Sequence, residues 1–482
     1  ALQERTTMIK ETPVETEVTE TTCSFCSVGC SLNLESCGDM LIKANPDKNG
    51  AVNKGLACGM GKWGFDCSML EDKLEEPFVK EDGRFRESDY HEAFVLVAKR
   101  CQSIGAKYGK DAVAVAVSDR YTNEEAYAIK RMAEAMGAKV LCINNRESGL
   151  EKVTGLNASP NTIDELLSTN LILKIGFKEE DSRVIALKMK QAEEAGAKVI
   201  NLCSGENNLS FLKQIAKAII DSGKAKKAAG YDEFAASLAS VKVSGEAKAI
   251  ADQYLAAKKA MIVYQQNFLT TDGAILVADI AMLSGHIGSP RDGILQVKAK
   301  NNSQGLIDMG ITAGKEALDG VKALVVFGEN AEIDTEALEF LAVCDTHMTE
   351  LGAKADVVIP GTGFASIDGT FTNTERRMQL VQAAIDEDIL FSNWEVAAEI
   401  AHIFEVDLDW DGTDDISDEM SDTVESYKYA ELGEVLGGVL TPAAGAALIA
   451  VEDGPVVEEL PCTDSLMQVI SMRLPKPVNP TA

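Results

Sequence analysis

Positive charge is scarce in this chain. Its 46 Lys and Arg stand against 76 Asp and Glu, a formal net charge of −30. That balance argues against nucleic acid or an anionic membrane surface as a partner. It serves solubility first and docking to basic faces of partner subunits second. A long apolar run is also lacking. The longest uncharged stretch, Val435 to Val451, contains three glycines and a proline. It falls short of the ~18–20 strongly apolar residues of a membrane span, so no span is expected. No secretory signal precedes the first cysteines, so a disulfide framework is not expected; reduced thiols would fit a cytoplasmic protein.

What is present is concentrated near the N-terminus. Cys23, Cys26 and Cys30 follow one another, and Cys58 comes later, in the pattern C-x2-C-x3-C-x27-C. Four thiolates are the ligand set of a [4Fe–4S] cube. Three close cysteines can wrap one side, and a distant fourth closes it. Gly29 and Gly59 beside the ligands are expected to let the backbone approach the inorganic sulfides. A structural zinc site would show two cysteine pairs, and here the second half has one cysteine. Buried free thiols would not fall at ligand spacing. The other seven cysteines (Cys37, Cys67, Cys101, Cys142, Cys203, Cys344, Cys462) are scattered without motif spacing and read mostly as reduced, buried thiols.

At 482 residues the chain is too long for one core. Residues 1–20 read as a polar linker. Residues 21–75 read as a cluster-binding unit with little core of its own, held together by its metal. From 76 to 405, short β-branched runs alternate with amphipathic stretches. Expected strands are Ala112–Val117, Lys139–Ile143, Leu171–Ile175, Lys198–Leu202, Ala260–Tyr264, Ala323–Phe327 and Asp356–Ile359. Expected helices include Tyr90–Lys107, Asn123–Met136, Ser182–Ala195, Leu209–Asp221, Gly273–Leu283 and Asn393–Phe404. Apolar strands separated by single helices mean parallel sheets covered on both faces. Their number implies an α/β fold with two interleaved, doubly wound, Rossmann-like units behind a small [4Fe–4S] domain.

Residues 406–482 read as an acidic segment and an extended tail. Asp407, Asp409, Asp411 and Gly412 imitate the first half of a calcium loop. The apolar residue, however, is Ile416 rather than loop position eight, and Asp418 stands where Glu is usual. A solvated acidic turn capping a helix is the simpler reading.

The cysteine motif placed before doubly wound units resembles the molybdopterin oxidoreductase superfamily. The likeness is to the formate dehydrogenase alpha subunit and the large iron–sulfur subunit of NADH dehydrogenases. It spans roughly residues 20 to 405. Arg86–Phe94, Asn301–Gly310 (a loop that formate dehydrogenases place beside their pterin) and Ala355–Pro360 with Asp368–Gln379 carry it. The resemblance implies an oxidoreductase with iron–sulfur chemistry. The departures matter as much. No cysteine falls where catalytic members place their molybdenum or tungsten ligand, in Cys142-Ile-Asn-Asn-Arg-Glu-Ser-Gly-Leu150. Cys142 lies earlier, inside an expected strand, and reads as a core thiol. The lysine that formate dehydrogenases carry two residues past the fourth cysteine is Met60 here, with Lys62 out of register. Too little chain follows Phe404 for the family's closing domain. Molybdopterin is therefore expected to be absent, with Gln304, Arg376 and Arg377 kept for structure.

The chain begins without methionine, and Ala1-Leu-Gln-Glu-Arg resembles the sequence just after a ferredoxin-like motif. Upstream clusters, on the same polypeptide or an adjacent subunit, are expected. The reading is an electron-transfer and scaffold subunit of a multi-subunit NAD(P)H-linked complex: a hydrogenase, a formate dehydrogenase or an electron-bifurcating enzyme. Its partners would include a flavin- and NAD-binding subunit and a ferredoxin-like one. The alternative is a catalytic bis-pterin formate dehydrogenase subunit; a scaffold with a degenerate cluster is the third.

Overall fold

The computed structural model describes residues 15–65, 72–202 and 208–458. The expectations at Cys67, Cys203 and Cys462 lie outside these residues. The N-terminal unit is an antiparallel sheet of β1 (Glu17–Thr22), β2 (Ser31–Cys37) and β3 (Met40–Pro46). In β2, Leu32, Leu34 and Ser36 turn inward while the residues between them stay partly exposed, the period of two that a half-buried strand requires. β1 corrects the linker expectation for residues 17–20. Its Val18, Thr19, Thr21 and Thr22 are β-branched and suit a strand despite the glutamates between them.

Two parallel sheets follow. The larger takes β4 (Phe78–Glu81), β5 (Arg84–Glu87), β6 (Val113–Val117), β7 (Lys139–Leu141), β12 (Ala323–Phe327), β13 (Phe340–Asp345) and β14 (Val357–Pro360). Its order is β5-β4-β14-β13-β12-β6-β7, with β4 and β5 antiparallel. The smaller, from the chain between β7 and β12, has β8 (Leu171–Lys174), β9 (Lys198–Asn201), β10 (Ala260–Gln265) and β11 (Gly293–Val297) in the order β11-β10-β8-β9. The second unit is thus inserted into the first, and both are doubly wound α/β.

The expected strands and helices form within one or two residues at most ends. Three features were not anticipated. β11 and β13 are short and wholly buried, and so carry no alternation to betray them. The β4–β5 hairpin turns on Asp82 and Gly83, both at positive φ (48° and 77°), the Asp-Gly pairing that such a turn demands.

Each sheet has a switch point where its strand order reverses: between β6 and β12, and between β8 and β10. Ligands of doubly wound sheets bind outside the carboxyl ends of the strands there. Arg120, after β6, and Asn267, after β10, line one cavity with the cysteines of the N-terminal unit. In the hairpin of β15 (Gly369–Thr372) and β16 (Met378–Val381), β16 packs on β1 and β15 on helix Asn123–Met136.

Beyond residue 405 the core continues. Helix Thr413–Thr423 buries Ile416 and Met420, one turn apart, with Tyr427, against the same apolar core as helix Asn123–Met136. The acidic turn before it does not cap that helix with a side chain, since Gly412 stands at the N-cap; the Asp411 amide donates instead to Asp415 within the helix at 2.8 Å, and Asp407 pairs with His402. From 428 to 458 the chain is an arm lying over both sheets' units. Its bonds run from Leu440 to Pro160, from Leu448 to Ala229 and from Glu458 to Phe268.

Candidate metal centre

Cys23 and Cys30 flank a tight loop closed by the Cys23 amide donating to the Cys30 carbonyl at 2.8 Å. Cys58 caps the short helix Gly59–Trp63. All four cysteines line one cavity of about 310 Å³. Cys23 and Cys30 are buried, while Cys26 and Cys58 are half-buried. Among the described residues, no three His, Cys, Asp or Glu side chains converge where a single ion would sit. Four thiols around one cavity match the ligand set of a [4Fe–4S] cube.

Burial first, and the neighbouring thiols second, push Cys30 well above the ordinary thiol range. Cys26 is pushed up to about 11, chiefly by burial. Four thiolates gathered in an apolar wall need a compensating cationic group, and a positively charged iron–sulfur core supplies one.

The loop is held from outside by residues distant in sequence. Gln379 donates to the Gly29 carbonyl at 2.8 Å, Asn373 to Val28 at 2.9 Å and the Thr374 amide to Ser27 at 2.8 Å. Arg120, buried at the carboxyl end of β6, donates to the carbonyls of Ser24 and Phe25. The polar run 361–379 is thus half β-hairpin and half clasp. Gly29 sits at φ +68°, and a Cβ there would come within 1.9 Å of Gln379 Oε1. A Cβ on Gly61 would lie 3.5 Å from Cys23 Sγ, while a Cβ on Gly59 would meet Trp63.

Met60 lines the cavity, and Lys62 turns away to the Ala44 carbonyl (2.8 Å) and Asn45 (3.1 Å). β7 stops at Leu141, so Cys142 stands one residue past its carboxyl end rather than inside the strand. It is buried with the core, beside a cavity of only about 10 Å³. Gln304 donates to Asp308 at 2.8 Å, and Arg376 and Arg377 donate to the arm at Leu436, Gly438 and Gly433. Sequence reasoning missed Arg120 and the buried Lys298 nearby, whose ammonium burial depresses to about 7. Arg120's position just past an apolar strand was the signal.

Residues 73–401 match the molybdopterin oxidoreductase family, and residues 16–67, which hold all four cysteines, match its Fe4S4 domain. The chain belongs to the molybdopterin oxidoreductase family. It is 27% identical to the F420-dependent formate dehydrogenase 2 subunit alpha of Methanococcus maripaludis, over 86% of this chain and 74% of that protein. It is 26% identical to the putative formate dehydrogenase YrhE of Bacillus subtilis, over 91% of this chain and 54% of that one. The chain thus spans about half the length of the Bacillus relative. The acetylene hydratase of Pelobacter acetylenicus shares the fold, with a TM-score of 0.61 at 12% identity over 89% of this chain and 77% of the other. Among the described residues of this molybdopterin oxidoreductase, no helix is long and apolar enough to cross a membrane.

Proposed function

We propose that this molybdopterin oxidoreductase chain is an electron-transfer and scaffold subunit, with Cys23, Cys26, Cys30 and Cys58 holding a [4Fe–4S] cluster. The observation that carries the reading is the convergence of those four thiols on one cavity at the carboxyl ends of both sheets. Such a cluster accepts and returns single electrons. The chain's own part is to exclude water, fix the loop through Arg120, Asn373 and Gln379, and hold the thiols in one geometry.

Two features support a relay over a catalyst. Met60 stands in the cavity wall where formate dehydrogenases carry a lysine, and Lys62 is engaged elsewhere. No cysteine other than Cys142 lies in residues 142–150, and Cys142 is packed in the core. Partners of a relay would be redox subunits, among them a flavin- and NAD-binding subunit and a ferredoxin-like one, in a cytoplasmic NAD(P)H-linked complex.

The second reading is a catalytic formate dehydrogenase subunit binding molybdopterin. It is favoured by the names of the relatives and by Cys142 standing at a strand's carboxyl end. Identification of co-purifying subunits tests the choice. A flavin- and NAD-binding partner with electron flow to the cluster supports the relay; formate oxidation by the chain alone supports the catalyst.

A further inference from the structure

The cavity that holds the cysteines also holds basic side chains. Arg120 and Lys300 line it, one after β6 and the other after β11. Arg120 is held from both ends. Its guanidinium bonds the carbonyls of Ser24 and Phe25, between the first two cysteines. Its own carbonyl accepts from Asn301 at 3.0 Å, and the neighbouring Tyr121 carbonyl accepts from Asn302 at 2.8 Å. Lys300 is anchored by its amide, which donates to Ser303 at 2.8 Å. Glu180, Asp181 and Arg183 line the same cavity.

We propose that Arg120, seconded by Lys300, sets the reduction potential of the cluster by fixing positive charge against its Cys23–Cys26 edge. The physical reason is that reduction adds one negative charge to a group enclosed in low dielectric. A nearby permanent cation favours the reduced form. Arginine suits this role because it keeps its charge when buried, and here one guanidinium nitrogen reaches both carbonyls. The Asn301–Asn302 pair acts through Arg120, positioning it rather than meeting the cluster. This inference rests on the cluster assignment but not on the choice between relay and catalyst.

The test is an EPR-monitored redox titration of the iron-loaded protein and its Arg120→Gln, Arg120→Lys and Lys300→Gln variants. Arg120→Gln should disfavour reduction at least tenfold, a potential lower by about 59 mV for a one-electron couple. Arg120→Lys should return most of the shift, since it restores charge without the fork. Lys300→Gln should move the potential in the same direction by less. If Arg120→Gln sheds the cluster, Lys300→Gln, which leaves the Ser24 and Phe25 bonds in place, decides alone. A potential unchanged in an iron-replete Arg120→Gln, or in Lys300→Gln when only that variant keeps iron, overturns the proposal. Bound molybdenum or tungsten would instead defeat the relay reading and leave the potential shift standing.

Discussion

Gln379 and Gly29 are 350 residues apart and in contact: the Gln379 amide donates to the Gly29 carbonyl at 2.8 Å. The same side chain occupies the space a Cβ on Gly29 would need. The cysteine loop is thus shaped by a strand near the end of the fold. Local cysteine spacing and long-range packing specify the metal centre together.

Gly29→Ala should weaken the loop. The left-handed backbone costs a Cβ-bearing residue roughly 1–2 kcal/mol, and Gln379 must also move. We expect a lower melting temperature and reduced iron content. Pairing it with Gln379→Ala should return the steric part but not the backbone part. A double-mutant cycle measures this, and strict additivity of the two changes would contradict the contact.

Cys58→Ser should lose or convert the cluster, because serine is a poor ligand for iron that prefers thiolate. The visible absorption should fall, and the unit spanning residues 17–65 should become open to proteolysis. Unchanged iron and spectrum would remove Cys58 from the ligand set.

Cys142→Ala should cost about 1–2 kcal/mol of packing and leave electron transfer to the cluster intact. Rapid-mixing reduction kinetics and thermal melts check both parts. Loss of substrate turnover in a folded, iron-replete variant would favour the catalytic reading.

Asp279, on helix Thr271–Ser284, accepts from the Ile449 amide of the arm at 3.2 Å and is otherwise enclosed. Burial pushes its carboxyl up to about 8. A carboxyl whose folded pKa lies above its unfolded value gives stability that is present below about pH 4. That stability is lost as pH rises through the folded value. Asp279→Asn should therefore gain stability over the parent between about pH 4 and 8, with the difference largest at the alkaline end. Denaturant midpoints across that range test the sign. A constant difference would place the titration elsewhere.

The sequence showed the sheets best where strands kept an unbroken apolar run between helices, as in Ala323–Phe327. It hid β13, although Phe340–Asp345 is as buried, because no helix separates it from β12 and the Asp334 turn reads as loop. The cysteines were legible because ligand spacing is local. Arg120, Asn373 and Gln379 were not, because their partners lie 96, 345 and 350 residues away. The arm was legible as extended, but the Arg376 and Arg377 bonds that hold it depend on tertiary placement.

The central claim is that the chain carries one cubane cluster and passes electrons without a pterin-bound metal. Metal analysis of the protein purified from cells that supply molybdopterin tests it most directly. The account predicts about four iron atoms per chain, as a [4Fe–4S] cluster requires, and no stoichiometric molybdenum or tungsten. One molybdenum or tungsten per chain, accompanied by dye-linked formate oxidation, would contradict it.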